Sequence, residues 1–380
     1  MSMEQTLTIV VKLEPTPEQC LKIEDTLQGF AGACNYANSK VDAKVTNKNT
    51  IQTLVYQEIR ALFGLSSNLA VRVCARVAAN RKTAKLKKKP VKKFAGTSAD
   101  YDARIFDYRE KDLTVSLTLL GGRERIKFHA ANYQLGKLKG KKPTSAQLCK
   151  HKDGLFYIHI QVDNETPDPT DSDQVIGVDF GRREIAHTST EKSWNGKQIQ
   201  KVRDHFAQLR ASLQEKASKG TRNSRRSIRR LLKRLSGSER RFQTWLNHCI
   251  SAEIINEAKA INAVVAIEDL TGIREDTNKK PRHKTERRRS NSWAFYQLRQ
   301  FLEYKGIRDG VRIVIVNPAY TSQTCHQCLH IGLRSDKKFG CTNCGWHGDA
   351  DYNGAMMISL LGGAVSHPES SELSCPIQVA

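Results

Sequence analysis

Apolar and polar residues change their period twice along the chain. Residues 5–13, QTLTIVVKL, read as a strand, and EPTPEQ after it reads as a helix start. From about 16 to 90, apolar residues recur three or four apart in LKIEDTLQGFAGACNYANSKVDA, TIQTLVYQEIRALFGL and SNLAVRVCARVAANRKTAK, the spacing of amphipathic helices. KLKKKPVKKF, 85–94, closes this stretch with six lysines, as a solvated linker or an arm that meets phosphate. From about 97 to 165 the period drops to two. LTVSLTLLGGRERIKF places a Gly-Gly turn between alternating segments, and GLFYIHIQVD alternates for eight residues. Together with the first strand, these segments predict a small β-barrel that carries the helical stretch as a long insertion.

NETPDPTDSD, 164–173, is rich in Pro, Asp and Thr and predicts a domain boundary. Beyond it, apolar strands and helices take turns, which predicts an α/β architecture. VIGVDFG is a compact strand containing Asp179, and IAHTSTEKSWNGKQIQ suggests a hairpin turning at Asn195-Gly196. Two helices are expected next, the very basic RNSRRSIRRLLKRLSGSERR and then RFQTWLNHCISAEIINEAKAIN. AVVAIEDL reads as a strand, REDTNKKPRHKTERRRS (274–290) as a mobile basic loop, and SWAFYQLRQFLEYKGI as a helix. Strand RIVIVNP, a cysteine cluster, helix DYNGAMMISLL and a disordered tail from 362 complete the reading.

Charge narrows the function. The 380 residues hold 62 Lys and Arg against 39 Asp and Glu, a formal charge of +23. Such an excess opposes compaction unless a polyanion shares the surface, so it points to nucleic acid or an anionic membrane. No apolar run reaches the roughly 18 residues that span a bilayer. The first residues, MSMEQTLTIVVKLEPTPEQ, show no basic region followed by an apolar core and a cleavage site. The expectation is a nucleic-acid-binding protein working inside the cell, with no membrane partner.

Six of the ten cysteines, Cys20, Cys34, Cys74, Cys149, Cys249 and Cys375, stand apart and read as reduced. The other four form two C-x2-C pairs, Cys325/Cys328 and Cys341/Cys344, with twelve residues between them. A two-residue gap turns both thiolates of a knuckle toward one ion, and two knuckles complete a tetrahedral shell for one structural zinc. A closed shell leaves no open position for chemistry. His326 and His347 therefore read as bystanders rather than ligands.

Three acids stand at the ends of predicted elements: Asp179, Glu268 and Asp351. A carboxylate in an apolar strand is costly to bury without a partner. Three of them in so basic a chain suggest a shared cation site, and hard oxygen ligands suit Mg²⁺. Two such ions, roughly 4 Å apart, could serve an in-line phosphodiester displacement. Asp269 competes with Glu268, although only one of two successive strand residues can face the site. Asp349 likewise competes with Asp351, and spacing leaves that choice open.

The order VIGVDFG, AIEDLTGI, NPAYTSQTCHQC and CTNCGWHGDADYNGAMMI resembles the transposon-encoded TnpB (OrfB-type) family of RNA-guided nucleases, related to compact type V CRISPR effectors. The resemblance covers 175–360 in motifs and most of the chain in layout. It implies an α/β multidomain protein: an RNase H-like (RuvC-type) nuclease core with an inserted four-cysteine zinc ribbon, preceded by a small β-barrel carrying a helical insertion. On that layout the barrel, wedge-like, takes 1–14 and 95–165, and the helical recognition insertion takes 15–94. The nuclease domain takes 166–320 and 350–361, the ribbon 321–349 and the tail 362–380. The family's catalytic triad falls on Asp179, Glu268 and Asp351, the last in the motif Asp351-Tyr352-Asn353, which implies Asp351 rather than Asp349. Two Mg²⁺ at the triad and one Zn²⁺ in the ribbon follow from the same resemblance. So do a guide RNA, a target double-stranded DNA bearing a short flanking motif, and a place on the nucleoid in the prokaryotic cytoplasm. Ala350 stands where many relatives have Arg, Gly354 where they have Ala, and Arg182 at a position that is often apolar. None of these removes a metal ligand.

The expected function is RNA-guided endonucleolytic cleavage of DNA for a transposable element. Two other readings use the same features: a guide-programmed DNA-binding regulator without cleavage, and a guide-independent transposase or junction nuclease. The intact acids argue against the first, and the large basic N-terminal half against the second. The stretch 222–241, with eight arginines and one lysine, reads as part of a polyanion groove.

Overall fold

The computed structural model describes residues 4–91, 93–181, 184–271 and 295–367. The chain divides into two compact units between Glu165 and Thr166. In the first, β1 (Glu4–Glu14) leads into α1 (Pro17–Lys40) through a capping box. The Thr16 hydroxyl accepts from Gln19 N at 3.3 Å, and the Gln19 side chain accepts from Thr16 N at 3.2 Å. α2 (Lys48–Phe63) and α3 (Ser67–Leu86) follow, capped by Asn47 and Ser66. Ile23, Leu27, Phe30 and Cys34 share one core with Ile51 and Val55 of α2 and Val73 and Val77 of α3. Not every cation here faces solvent. Arg81 is buried and donates to the carbonyls of Asn38, Val41, Asp42 and Val45 at 2.6–3.0 Å, fixing the turn after α1.

The period-two segments form β2 (Ser98–Asp102), β3 (Phe106–Arg109), β4 (Thr114–Leu119), β5 (Gly122–His129), β6 (Pro143–Lys150) and β7 (Phe156–Glu165). With β1 they make an antiparallel sheet ordered β2-β6-β7-β1-β5-β4-β3. β3 comes back against β6, and the Tyr101 hydroxyl on β2 donates to Thr118 O on β4 at 3.1 Å. The sheet is therefore a nearly closed barrel. A short helix, α4 (Asn132–Leu138), anchored by buried Leu138, was hidden in the strand-like pattern.

In the second unit β8 (Val175–Asp179), β9 (Glu184–Thr188), β10 (Ser193–Asn195), β11 (Val264–Glu268) and β12 (Ile313–Val316) form a sheet ordered β10-β9-β8-β11-β12. β8, β11 and β12 run parallel, and β9 is antiparallel to both neighbours. The crossover holds α5 (Lys197–Lys219), α6 (Arg222–Leu235) and α7 (Ser238–Ala260), and α8 (Phe295–Asp309) precedes β12. A three-stranded insert, β13 (Leu333–Ser335), β14 (Lys338–Gly340) and β15 (His347–Asp349), stands before α9 (Ala350–Ser366). β11 is apolar because both of its faces are covered. Ile250, Ile254, Leu298 and Leu302 of α7 and α8 pack on Ile176, Val178, Val265 and Ile267, whereas Ile358 of α9 packs on Val264, Ala266, Val314 and Val316.

Three expectations need correction. The hairpin does not turn at Asn195-Gly196. It turns at 189–192, where Thr188 and Lys192 exchange backbone and hydroxyl bonds and Glu191 is left-handed at φ 66°. Asn195 instead accepts from Lys197 N at 2.7 Å and starts α5, a helix the two-helix reading lacked. The tail does not begin at 362, since α9 continues to Ser366. Gly362 is buried there against Ala266 and Val175, which holds the extra turn on the sheet. The stretch 274–290, Arg182 and everything beyond His367, Cys375 included, lie outside the described residues.

α9 lies very close to β8. A Cβ on Gly177 would sit 2.0 Å from Ala355 O and 2.4 Å from Ser359 N, both of them backbone atoms that cannot swing away. Ser359 Oγ also donates to Val175 O at 2.6 Å. Gly177→Ala should push the helix off the sheet and cost about 3 kcal/mol, the upper end for overpacking. Guanidinium unfolding measures this, and a variant as stable as the wild type would show that the helix can move freely.

Candidate functional site

Strand alternation selects the acids. Val175 and Gly177 face α9 and Ile176 and Val178 face α7 and α8, so Asp179 falls on the α9 side. On β11, Val264 and Ala266 face α9, which puts Glu268 on the same side. Val178 pairs with Ile267, so Asp179 and Glu268 are the next residues at the carboxyl ends of neighbouring parallel strands. In open α/β sheets this is where ligands bind. Asp269 turns the other way and pairs with Arg299 of α8 at 2.7 Å.

The third acid comes from α9. Asp349 is its N-cap, and its carboxylate accepts from Asp351 N at 2.8 Å and Tyr352 N at 3.1 Å. Capping occupies Asp349 and leaves the Asp351 side chain to project from the first turn. Gly354, one turn further along the same face, comes so close to Asp179 that a Cβ there would lie 3.3 Å from Oδ2. The helix thus delivers Asp351 to the carboxyl ends of β8 and β11.

The electrostatics follow from that gathering. Burial, and then the charges of Glu268 and Asp351, push the Asp179 carboxyl up to about 8, with Arg334 opposing. Burial also raises Glu268, while the hydroxyl of buried Thr321 donates to its Oε1 and Arg334 pulls it back down. Arg334 Nη2 pairs with Asp351 Oδ1 at 2.9 Å, so all three carboxylates feel this one guanidinium. Lys337 adds a second cation, 2.7 Å from Glu184 and 3.8 Å from Asp351. Thr321, Arg334 and Lys337 were not found by sequence reasoning. They sit in irregular or short-hairpin segments with no period to read, and only the fold brings them to the acids.

The four cysteines are drawn together more tightly than the acids. Among the described residues, only Cys325, Cys328, Cys341 and Cys344 bring three or more potential ligand atoms all within 4.8 Å of one another. Cys325 and Cys344 sulfurs are 3.6 Å apart, and Cys328 and Cys341 sulfurs 3.4 Å. Tetrahedral zinc thiolate calls for roughly 3.8 Å, so the set fits and could hold one zinc ion. Both knuckles are the same turn. Leu329 N donates to Cys325 O at 2.9 Å and Gly345 N to Cys341 O at 3.1 Å, each from a left-handed residue at φ 60° and 74°. His326 is not among these clustered ligand atoms; its backbone N–H and its ring both bond to buried Asn353 of α9. His347 bonds locally to Gly345 O at 2.5 Å. Among the isolated cysteines, Cys34, Cys74 and Cys149 are buried and free, and Cys20 and Cys249 are half-buried and free.

Residues 159–272 match the family described as "Probable transposase", and residues 295–358 match the one described as "Cas12f1-like, TNB domain". TnpB-like protein MJ0751 of Methanocaldococcus jannaschii is 31% identical over 192 residues, which are 48% of this chain and 67% of that one. The chain belongs to the TnpB-like family. It is also 28% identical over 239 residues to the CRISPR-associated endodeoxyribonuclease Cas12f1 of Sulfoacidibacillus thermotolerans, covering 59% of this chain and 54% of that protein. The chain therefore spans between half and two thirds of these curated relatives. Its fold is similar to that of the protein in the cryo-EM structure of the Cas12f1-sgRNA-target DNA complex, with a TM-score of 0.61 at 13% identity over 94% of this chain and 99% of that one. In this TnpB-like chain no described helix is long and apolar enough to cross a membrane.

The raised Asp179 sets a pH dependence. Folding takes up a proton there between the ordinary 3.8 and about 8, so its contribution to stability is complete below about 4 and is lost as pH rises through 8. Asp179→Asn should be more stable than the wild type at pH 8, by roughly 1 kcal/mol or more, and show a flatter Tm-against-pH curve without added divalent ions. Parallel curves for the two proteins would assign the proton elsewhere.

Proposed function

We propose that the chain is an RNA-guided DNA endonuclease of a transposable element, cutting phosphodiester bonds at a RuvC-type, RNase H-like site made by Asp179, Glu268 and Asp351. The observation that carries this reading is the gathering of three acids, distant in sequence, on one face of the sheet at its strand ends. A protein that only bound nucleic acid would gain nothing from burying mutually repelling carboxylates. Their hard oxygens fit Mg²⁺, which when bound there would polarise phosphate and lower the pKa of water. Thr321 fixes the rotamer of Glu268. Arg334 supplies a preorganised positive charge beside the acids, suited to a phosphate whose charge grows in the transition state.

The layout proposed for the rest is a barrel, 1–14 and 95–165, with the helical insertion 15–94, holding guide RNA and reading a short motif beside the target. The nuclease domain takes 166–320 and α9, and the ribbon takes 321–349. Base pairing between guide and target would supply sequence specificity, and the expected setting is the prokaryotic cytoplasm, at the nucleoid. Relatives support the partners: one is named an endodeoxyribonuclease, and the structural neighbour was solved with sgRNA and target DNA.

α6 provides a concrete polyanion surface. Ile228, Leu231, Leu232 and Leu235 are half-buried along one side, while Arg222, Arg225, Arg226, Arg229, Arg230, Lys233 and Arg234 are exposed. At 3.6 residues per turn, Arg222, Arg226, Arg229 and Lys233 fall within about 60° of one another. The arginine-rich stretch thus separates into a basic face and an apolar seam. Replacing Arg226, Arg229 and Lys233 with Gln should lower the slope of log affinity against log salt by roughly 2 to 3, measured by filter binding of the co-purified RNA. An unchanged slope would take α6 out of the interface.

The direct test uses the chain purified with its bound RNA, a matching duplex and Mg²⁺. Wild type should cleave, and Asp179→Ala should lose at least ~100-fold in rate while keeping its RNA. Cleavage by Asp179→Ala at the wild-type rate sinks the catalytic assignment. Cleavage that survives complete RNA removal sinks the guide.

A further inference from the structure

Asn353 is fully buried two residues beyond Asp351, and its amide bonds to the first cysteine knuckle and to the residue just before it. Its Oδ1 accepts from His326 N at 3.1 Å and from His326 Nδ1 at 2.9 Å, and its Nδ2 donates to Thr324 O at 2.7 Å. Donor and acceptor partners together fix which way the amide points. They also require the Nδ1–H tautomer of His326. That histidine lies inside the Cys325–Cys328 knuckle and packs edge-on against Trp346, beside the second knuckle, at 4.6 Å.

Residues 351 and 353 point to nearly opposite sides of a helix. Asp351 faces the acid site, and Asn353 faces the ribbon. The turn between them is stiff, because Asp349 caps the amides of Asp351 and Tyr352. Rotating this turn to satisfy Asn353 therefore sets the direction of Asp351. The ribbon also grips from the other side, through Arg334 on Asp351 at 2.9 Å and through Ala350 N donating to Lys337 O at 2.8 Å.

We propose that Asn353 is a positioning residue that ties the filling of the four-cysteine site to the placement of the Asp351 carboxylate. A knuckle closed on its metal presents the His326 amide and the Thr324 carbonyl at the spacing the Asn353 amide needs. A knuckle that has lost its metal releases them, and the first turn of α9 loses its reference. Outer partners of a metal site commonly act this way, orienting groups they do not touch. The inference rests on the reading of Asp351 as a metal-holding acid, and it adds that the ribbon is a condition for the acid site rather than a separate module.

The test compares wild type, Asn353→Ala, His326→Ala and Val365→Ala, an exposed position on α9, each as the full chain with its bound RNA. Two quantities are read: the rate at which a chromogenic chelator strips zinc, and the Mn²⁺ concentration giving half-maximal cleavage. Asn353→Ala should release zinc at least about tenfold faster and need at least about tenfold more Mn²⁺, the range seen for outer partners of metal sites. His326→Ala keeps the backbone bond and should fall between, which preserves the test if Asn353→Ala does not fold. Val365→Ala should match wild type in both. Wild-type zinc release from Asn353→Ala, or faster release with an unshifted Mn²⁺ midpoint, overturns the proposal. A wild type that never cleaves, yet releases zinc faster once Asn353 is removed, overturns the nuclease reading and with it the Asp351 half, leaving only a ribbon clasp.

Discussion

The close approach of α9 to β8 is the constraint on which the second unit depends. Gly177 offers no side chain, so the helix backbone comes within reach of the strand and Ser359 bonds to Val175 O. At that separation the first turn of α9 overhangs the ends of β8 and β11. Asp351 then joins Asp179 and Glu268, although the first two acids are separated in sequence by three helices and all three by most of the unit. A methyl group at residue 177 would change the distance on which this meeting relies.

What collects there is costly to keep. Burial, and then the charges of the neighbouring carboxylates, push the Asp179 carboxyl up to about 8. The chain is strongly basic, but its abundance of lysine and arginine does not relieve this cost. Relief comes from a few placed groups, Arg334 and Lys337 on one hairpin and the Thr321 hydroxyl at Glu268. Arg334 lies on β13, and β14 and β15 hold that hairpin beside α9, with Lys338 opposite Asp349 in the strand register. The ribbon is thus structural in two senses: its sulfurs can gather one zinc ion, and its hairpin carries the counter-charge of the acid cluster.

Much of the layout was legible because burial imposes a period. Strands covered on one face alternate, strands covered on both faces are apolar throughout, and helices repeat at three and four. The errors came where local chemistry overrides period. Asn195-Gly196 has the residues of a hairpin turn, yet the Asn195 side chain is used to start α5. α9 outlasts its expected end because packing of Gly362 on the sheet, a tertiary contact, rewards another turn in spite of the Gly362-Gly363 pair.

Sequence alone was enough for the element types in most of the chain, the two cysteine knuckles and the candidate acids, since these follow from spacing and from the cost of burying charge. The choice of Asp351 over Asp349 came with the family resemblance; in the structure Asp349 caps α9 through the amides of Asp351 and Tyr352. Only the tertiary structure decided that Arg334, Lys337 and Thr321 stand beside those acids, and that the His326–Asn353 clasp joins the far side of α9 to the first cysteine knuckle. Each of these is a polar contact made by tertiary packing between different elements or turns. Such a contact leaves no periodic trace, because its worth depends on where the fold brings its partner.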